Sequence, residues 1–84
     1  MVKLLYFARL RDALGTAQEE IALPEGVTDI QRLMAWLALR GGAWQEEFTG
    51  SRSLRAAVNQ ELVNNAASFG EGDEIAFFPP VTGG

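Results

Sequence analysis

Residues 28–42 read Thr-Asp-Ile-Gln-Arg-Leu-Met-Ala-Trp-Leu-Ala-Leu-Arg-Gly-Gly, and the reading of this stretch decides the fold. Ile30, Leu33, Met34 and Leu37 recur at helical spacing, so they share one apolar stripe. Thr28 and Gln31 stand three apart in the pattern of a capping box and predict where the helix starts. Gly41 falls where a helix takes its left-handed stop. Trp36 flanks the stripe and is expected to cover the core, while Leu39 lands on the polar side with no role that the pattern supplies.

A helix with one apolar stripe needs a sheet to cover, and the flanking sequence provides strands. Upstream, residues 2–8 (VKLLYFA) are rich in β-formers; Val2, Leu4 and Tyr6 point to one face, and Lys3, Leu5 and Phe7 to the other, wetter one. RLRDALG then forms a short helical turn ending at Gly15, and QEEIAL (18–23) reads as a second strand stopped by Pro24. Downstream, AWQEEF (43–48) forms another helical turn. A strand follows around residues 54–59, with an Asn-Gln-Glu turn and a short strand at Leu62 and Val63. FGEGDE is turn chemistry, and EIAFF (74–78) is the last strand. Strand, strand, helix, strand, short strand, strand describes an α+β roll: a mixed sheet of about five strands covered by one main helix. Residues 1–78 form a single domain, and 79–84 an extended tail.

Composition narrows the function. The chain has 84 residues, 48% of them hydrophobic, with no cysteine, so packing alone has to hold a core of modest size. No apolar run approaches the roughly 20 residues of a membrane span, and the five-residue run after Lys3 is too short for a signal peptide. A cytoplasmic protein is expected. The net charge of −4 argues against nucleic acid and anionic membranes as partners and favours basic protein surfaces.

Histidine is absent along with cysteine, which removes the usual general base, the thiol nucleophile and the strong transition-metal ligands. No metal site is expected. The carboxylate pairs Glu19/Glu20, Glu46/Glu47 and Asp73/Glu74 are adjacent in sequence; on a strand such neighbours point to opposite faces, and all are expected to be solvated surface or turn acids. Gly70-Glu71-Gly72 precedes a strand and not a helix, so it is a turn and not a phosphate loop. By elimination, the chemical handle is the main-chain carboxylate of Gly84.

The residues before it fit that role. Pro79 and Pro80 cannot donate to a ladder and favour an extended, semi-rigid course, so residues 79–84 should project from the sheet and reach about 20 Å. Gly83 and Gly84 present no side chain, the shape needed to enter a narrow channel and place a carboxylate at its bottom. The alternative is an inert, frayed terminus.

Three stretches, YFARLRDALGT (6–16), AAVNQELV (56–63) and GDEIAFFPPVTGG (72–84), carry an end-to-end resemblance to the small, sulfur-carrying subunits of molybdopterin synthase, which are ubiquitin-like β-grasp proteins. The Pro-Pro-Val-x-Gly-Gly ending separates them from the related thiamine-pathway carriers, and residues 41–53 fit the family pattern least. The resemblance implies a cycle. A ubiquitin-activating-enzyme-like adenylyltransferase uses ATP to adenylate Gly84, a sulfur donor protein converts the adenylate to a thiocarboxylate, and the large synthase subunit receives the tail, Pro79, Pro80, Val81, Thr82 and Gly83 threading inward. Two deliveries turn cyclic pyranopterin monophosphate into the dithiolene of molybdopterin. The chain would be a cosubstrate that binds no cofactor of its own, its partners supplying the catalytic acids and bases.

In such a sheet the first and last strands are neighbours, which would set Phe7 beside Phe78 on the outer face, with Tyr6 and Phe77 inside. The family docks through matching positions, implying Phe7, Leu62 and Phe78 as apolar contacts and Arg11 as a polar anchor. Three other readings use the same sequence, the first a thiamine-pathway-type sulfur carrier that would use the same activated Gly84. A ubiquitin-like modifier would join Gly84 to protein lysines, although Lys3 is the only lysine available for chains of its own. A plain interaction module would leave the tail idle.

Overall fold

A computed structural model describes residues 1–49 and 54–80. The elements run β1 (Val2–Tyr6), α1 (Ala8–Leu14), β2 (Gln18–Ile21), α2 (Ile30–Ala38), α3 (Gly42–Thr49), β3 (Arg55–Val58), β4 (Glu61–Val63) and β5 (Glu74–Phe78). The five strands form one sheet in the order β2-β1-β5-β3-β4. The two central strands, β1 and β5, are parallel, and the outer pairs are antiparallel. This is the mixed α+β roll expected from the sequence.

Alternation along the strands builds the core. Val2, Leu4 and Tyr6 of β1 and Ile75 and Phe77 of β5 are each no more than 1% exposed, and the register sets Leu4 beside Ile75 and Tyr6 beside Phe77. From α2, Ile30, Leu33, Leu37 and Ala38 close over them. Burying each of the large side chains is worth about 1.5–3 kcal/mol, enough to order a sheet of short strands.

Three local readings change. The helix cap is Asp29, whose carboxylate accepts from the Arg32 backbone N–H at 2.8 Å, so the Thr28/Gln31 box is shifted by one position. β1 stops at Tyr6 and β2 at Ile21, each two residues short of the expected end, because the chain turns into α1 and into the Pro24 loop. The two helical turns are full helices, α1 of seven residues closed by Gly15 at φ 74° and α3 of eight.

α3 completes the core. Trp44 meets Tyr6 edge-on at 5.4 Å and stacks on Phe48 at 6.1 Å, and Phe48 meets Phe77 edge-on at 5.3 Å. These four rings tie α3 to both central strands with geometries that aromatic pairs prefer.

Candidate docking face and tail

Helices cover only one face of the sheet. On the other, the register aligns Gln18, Leu5, Ala76, Ala57 and Leu62 in one row across all five strands. Parity keeps every side chain in that row on the same side, and from Leu5 to Leu62 the row is apolar. It floors an open groove of about 450 Å³ lined by Leu5, Phe7, Ala57, Leu62, Ala76 and Phe78, with Gln60 and Glu74 at its edge. Phe7 is 46% exposed and Leu62 62%, unusual for side chains of this size.

Phe7 is held in place by its backbone. Its N–H donates to Phe77 O at 3.2 Å, and its carbonyl accepts from the N–H of Leu10 at 3.1 Å. Ala8, at φ 56°, turns the chain from strand to helix within one residue. That left-handed conformation costs a non-glycine residue about 1–2 kcal/mol, a cost the paired backbone on either side sustains.

The groove thus gathers three of the residues expected at a docking site: Phe7, Leu62 and Phe78. Arg11 is exposed in the last turn of α1 and does not line the groove. Leu5, Ala57, Gln60 and Ala76 join it without having been singled out; the signal was present, since Leu5 and Ala76 each lie two residues before a displayed Phe. Pro79 and Pro80 continue from β5 at the Phe7–Phe78 end of the face and are half-buried. Val81, Thr82, Gly83 and Gly84 lie outside the described residues.

The β4 hairpin is latched to the start of β5. Asn59 and Gln60 adopt φ 50° and 70°, the two left-handed residues that match a hairpin's twist. The Asn59 side chain donates to Asp73 and accepts from the Glu74 N–H, both at 3.0 Å. The Gly70 N–H and the Asn59 amide hold the Asp73 carboxyl below its ordinary range. The groove wall that carries Leu62 is therefore fixed relative to Phe78.

The expectation of solvated carboxylates holds for Glu20 and Glu46 and fails at two positions. Glu47 is 5% exposed, where α3 packs on α1, and accepts from Arg9 Nη1 at 2.8 Å. A carboxylate at that depth requires such a partner. Glu19 accepts from the Tyr6 hydroxyl at 2.7 Å and from Arg40. Burial alone would raise the Glu19 pKa; hydrogen bonds from Arg40 and Tyr6 and the guanidinium charge together outweigh it and hold the carboxyl below its usual range. Burial, with Glu19 alongside, pushes the Tyr6 phenol well upward, so it remains a proton donor. This cluster lies on the core side and acts as a structural brace. Among the described residues, no group of three or more His, Cys, Asp or Glu could hold a metal, and no helix is long and apolar enough to cross a membrane.

Parallel central strands, an antiparallel hairpin on each side and a helix across one face define a ubiquitin-like β-grasp protein, the class to which similar solved structures belong. The family model described as the ThiS family matches residues 4–84, and the chain belongs to that family. It is 39% identical over 84 residues to the molybdopterin synthase sulfur carrier subunit of Escherichia coli (strain K12), covering 100% of both chains. Among solved structures, it resembles a putative molybdopterin converting factor subunit 1 from Pyrococcus furiosus, with a TM-score of 0.74, 30% identity and coverage of 95% of this chain and 97% of that one. It also resembles a chain of the complex of subunits 1 and 2 of the molybdopterin-converting factor from Helicobacter pylori, at TM-score 0.66 and 25% identity, covering 99% and 97%. The likeness read from the three sequence stretches is borne out.

Proposed function

We propose that this chain is a sulfur carrier subunit of molybdopterin synthase, working in the cytoplasm. The observation that carries the reading is the 39% identity, over the whole of both chains, to a protein of that name. The apolar groove supports it, because its aromatic end lies where β5 passes into Pro79 and Pro80.

The chemistry belongs to the carboxylate of Gly84. An α-carboxylate is ionised at neutral pH and is a poor electrophile. In the activating enzyme, a carboxylate oxygen attacks the α-phosphorus of ATP and pyrophosphate leaves, giving a mixed anhydride. Sulfur at the sulfide level, delivered by the donor protein, then attacks the acyl carbon; the C–O bond to AMP breaks, AMP leaves with the electron pair, and a thiocarboxylate remains. Phe7, Leu62 and Phe78 dock the domain on the large subunit and Arg11 anchors its edge. The tail from Pro79 to Gly83 carries the sulfur to cyclic pyranopterin monophosphate, and no side chain of this protein takes part in the transfer.

Co-expression with the activating enzyme and a sulfur source, followed by intact-mass analysis, tests this. The expected result is replacement of one oxygen by sulfur at Gly84, and a mass that never changes overturns it. Higher-mass conjugates through protein lysines would show a ubiquitin-like modifier instead.

A further inference from the structure

Charge on the open face is divided between its two ends. At one end Lys3 sits between Glu20 and Glu74 in register. At the other, Arg55 opens β3 directly across from Phe78, its register partner, and its side chain leaves the sheet on the groove side. Arg9, Arg32 and Arg40 each hold a carboxylate. Arg55 is exposed, and among the described residues its guanidinium has no hydrogen bond or ion pair. It lines a second hollow, of about 650 Å³, which shares Leu62 with the groove. On a chain with a net charge of −4, a guanidinium is thus displayed without a partner at the rim of the apolar face, beside the point where the tail departs.

We propose that Arg55 is a docking residue whose guanidinium is received by a carboxylate on the partner protein, at the rim of the surface that accepts Leu62 and Phe78. The proposal rests on the docking face described above and adds the chemistry that its partner must carry. A planar guanidinium offers two parallel donors to a carboxylate, fixing orientation as well as attraction. A phosphate of ATP or of cyclic pyranopterin monophosphate at the reacting end is excluded on distance, because an extended tail of residues 79–84 would place Gly84 about 20 Å from Phe78, beyond the reach of an arginine beside that phenylalanine. The acidic partner site therefore lies on the protein surface facing the sheet and not in the chamber that the tail enters. An apolar groove supplies affinity with little direction; a single charge at one end of it sets which way round the partner sits.

The test is calorimetric titration of the full chain with the large synthase subunit of the same organism. At about 50 mM salt, Arg55→Glu is expected to weaken binding about tenfold or more, and Arg55→Lys to stay within about threefold of the parent. At about 0.5 M salt, the Arg55→Glu deficit should shrink to under about threefold, because an ion pair at a rim is screened. Among the described residues the Arg55 guanidinium holds no partner, so melting should be unchanged; should Arg55→Glu fail to fold, Arg55→Gln replaces it, with about threefold weaker binding expected at low salt. Parent-like binding by Arg55→Glu, while Phe78→Asp has lost it, overturns the role of Arg55 alone. An equal deficit at both salt concentrations also overturns it, by marking a steric effect. Parent-like binding by Phe78→Asp and Leu62→Glu overturns the docking face itself, and Arg55 with it.

Discussion

Arg40 and Glu19, 21 residues apart, meet in a two-pronged pair in which Nη1 donates to Oε2 at 2.8 Å and Nη2 to Oε1 at 3.0 Å. The same guanidinium lies over Trp44 at 4.4 Å and over Trp36 at 5.2 Å. One side chain beyond the end of α2 therefore clasps the edge strand β2 and the first turns of α3. Charged hydrogen bonds of this kind contribute about 1.5–3 kcal/mol, and cation–π contacts at partly exposed sites about 0.5–1 kcal/mol. Arg40→Ala is expected to lower unfolding free energy by about 2 kcal/mol in urea denaturation. Arg40→Lys should recover less than half of that, since an ammonium lacks the planar fork.

The same pair gives the fold an acid limit. The Glu19 carboxyl is held below its ordinary value of 4.5, so it binds a proton more readily in the unfolded chain than in the folded one. The stability it contributes is fully present above that value and is lost as pH falls through it toward the lower folded pKa. Unfolding free energy measured from pH 7 to 3 should drop across that window. In Glu19→Gln the drop should be shallower and the stability at pH 7 lower. Identical slopes for the two proteins would show that other carboxylates set the limit.

The start of α2 separates what sequence pattern reveals from what it hides. Both Thr28 and Asp29 are good caps, and spacing to Gln31 favours the first; the backbone chooses the second, with Asp29 at φ −139° and ψ 170°. Asp29→Ala should cost about 1 kcal/mol and Thr28→Ala almost nothing, by chemical denaturation. Reversed costs would return the cap to Thr28.

Alternation made the sheet legible. EIAFF was bounded to the residue, and the faces of β1 and β5 followed from parity, which is also why Phe7 and Phe78 could be placed outside. α3 was harder to read. Its apolar residues, Trp44 and Phe48, sit one turn apart in a short segment, and only the tertiary fold shows that their rings fill the space between Tyr6 and Phe77. Glu19 and Glu47 were misread for a related reason. Glu47 is buried and Glu19 half-buried because an arginine distant in sequence arrives at each, and local pattern carries no trace of such a meeting. In the groove, Leu5 and Ala76 were legible from parity, whereas Ala57 and Gln60 depended on which strand lies beside which.

Ala8 offers a test of how the proposed docking face is held. At φ 56° its methyl is strained, and its side chain is exposed, so packing does not require it. Ala8→Gly should relieve the strain and raise stability by up to about 1 kcal/mol, the gain being limited by the greater freedom of glycine in the unfolded chain. Ala8→Val should lower it by more than about 1 kcal/mol, because a β-branched residue tolerates positive φ poorly. Thermal melts of both variants decide the matter, and a destabilised Ala8→Gly would remove the strain argument.

If the carboxylate of Gly84 must pass through a narrow channel in each partner, a branched side chain one residue before it meets the channel wall, whereas the domain that carries it is untouched. On the expectation that the tail projects from the sheet, Gly83→Val should melt within about 3 °C of the parent, the shift that a change in stability of less than about 0.5 kcal/mol gives in a domain of this size. Its thiocarboxylate yield by intact mass, and synthase turnover with the purified large subunit, should fall at least about a hundredfold, as misplacement of a reacting group by about 1 Å can do. Docking is expected to survive, because Phe7, Leu62 and Phe78 are unchanged; binding measured with Gly83→Val should stay within about threefold of the parent. Normal turnover by this variant would mean that nothing in the partners constrains the tail, and the absence of side chains at residues 83 and 84 would need another explanation.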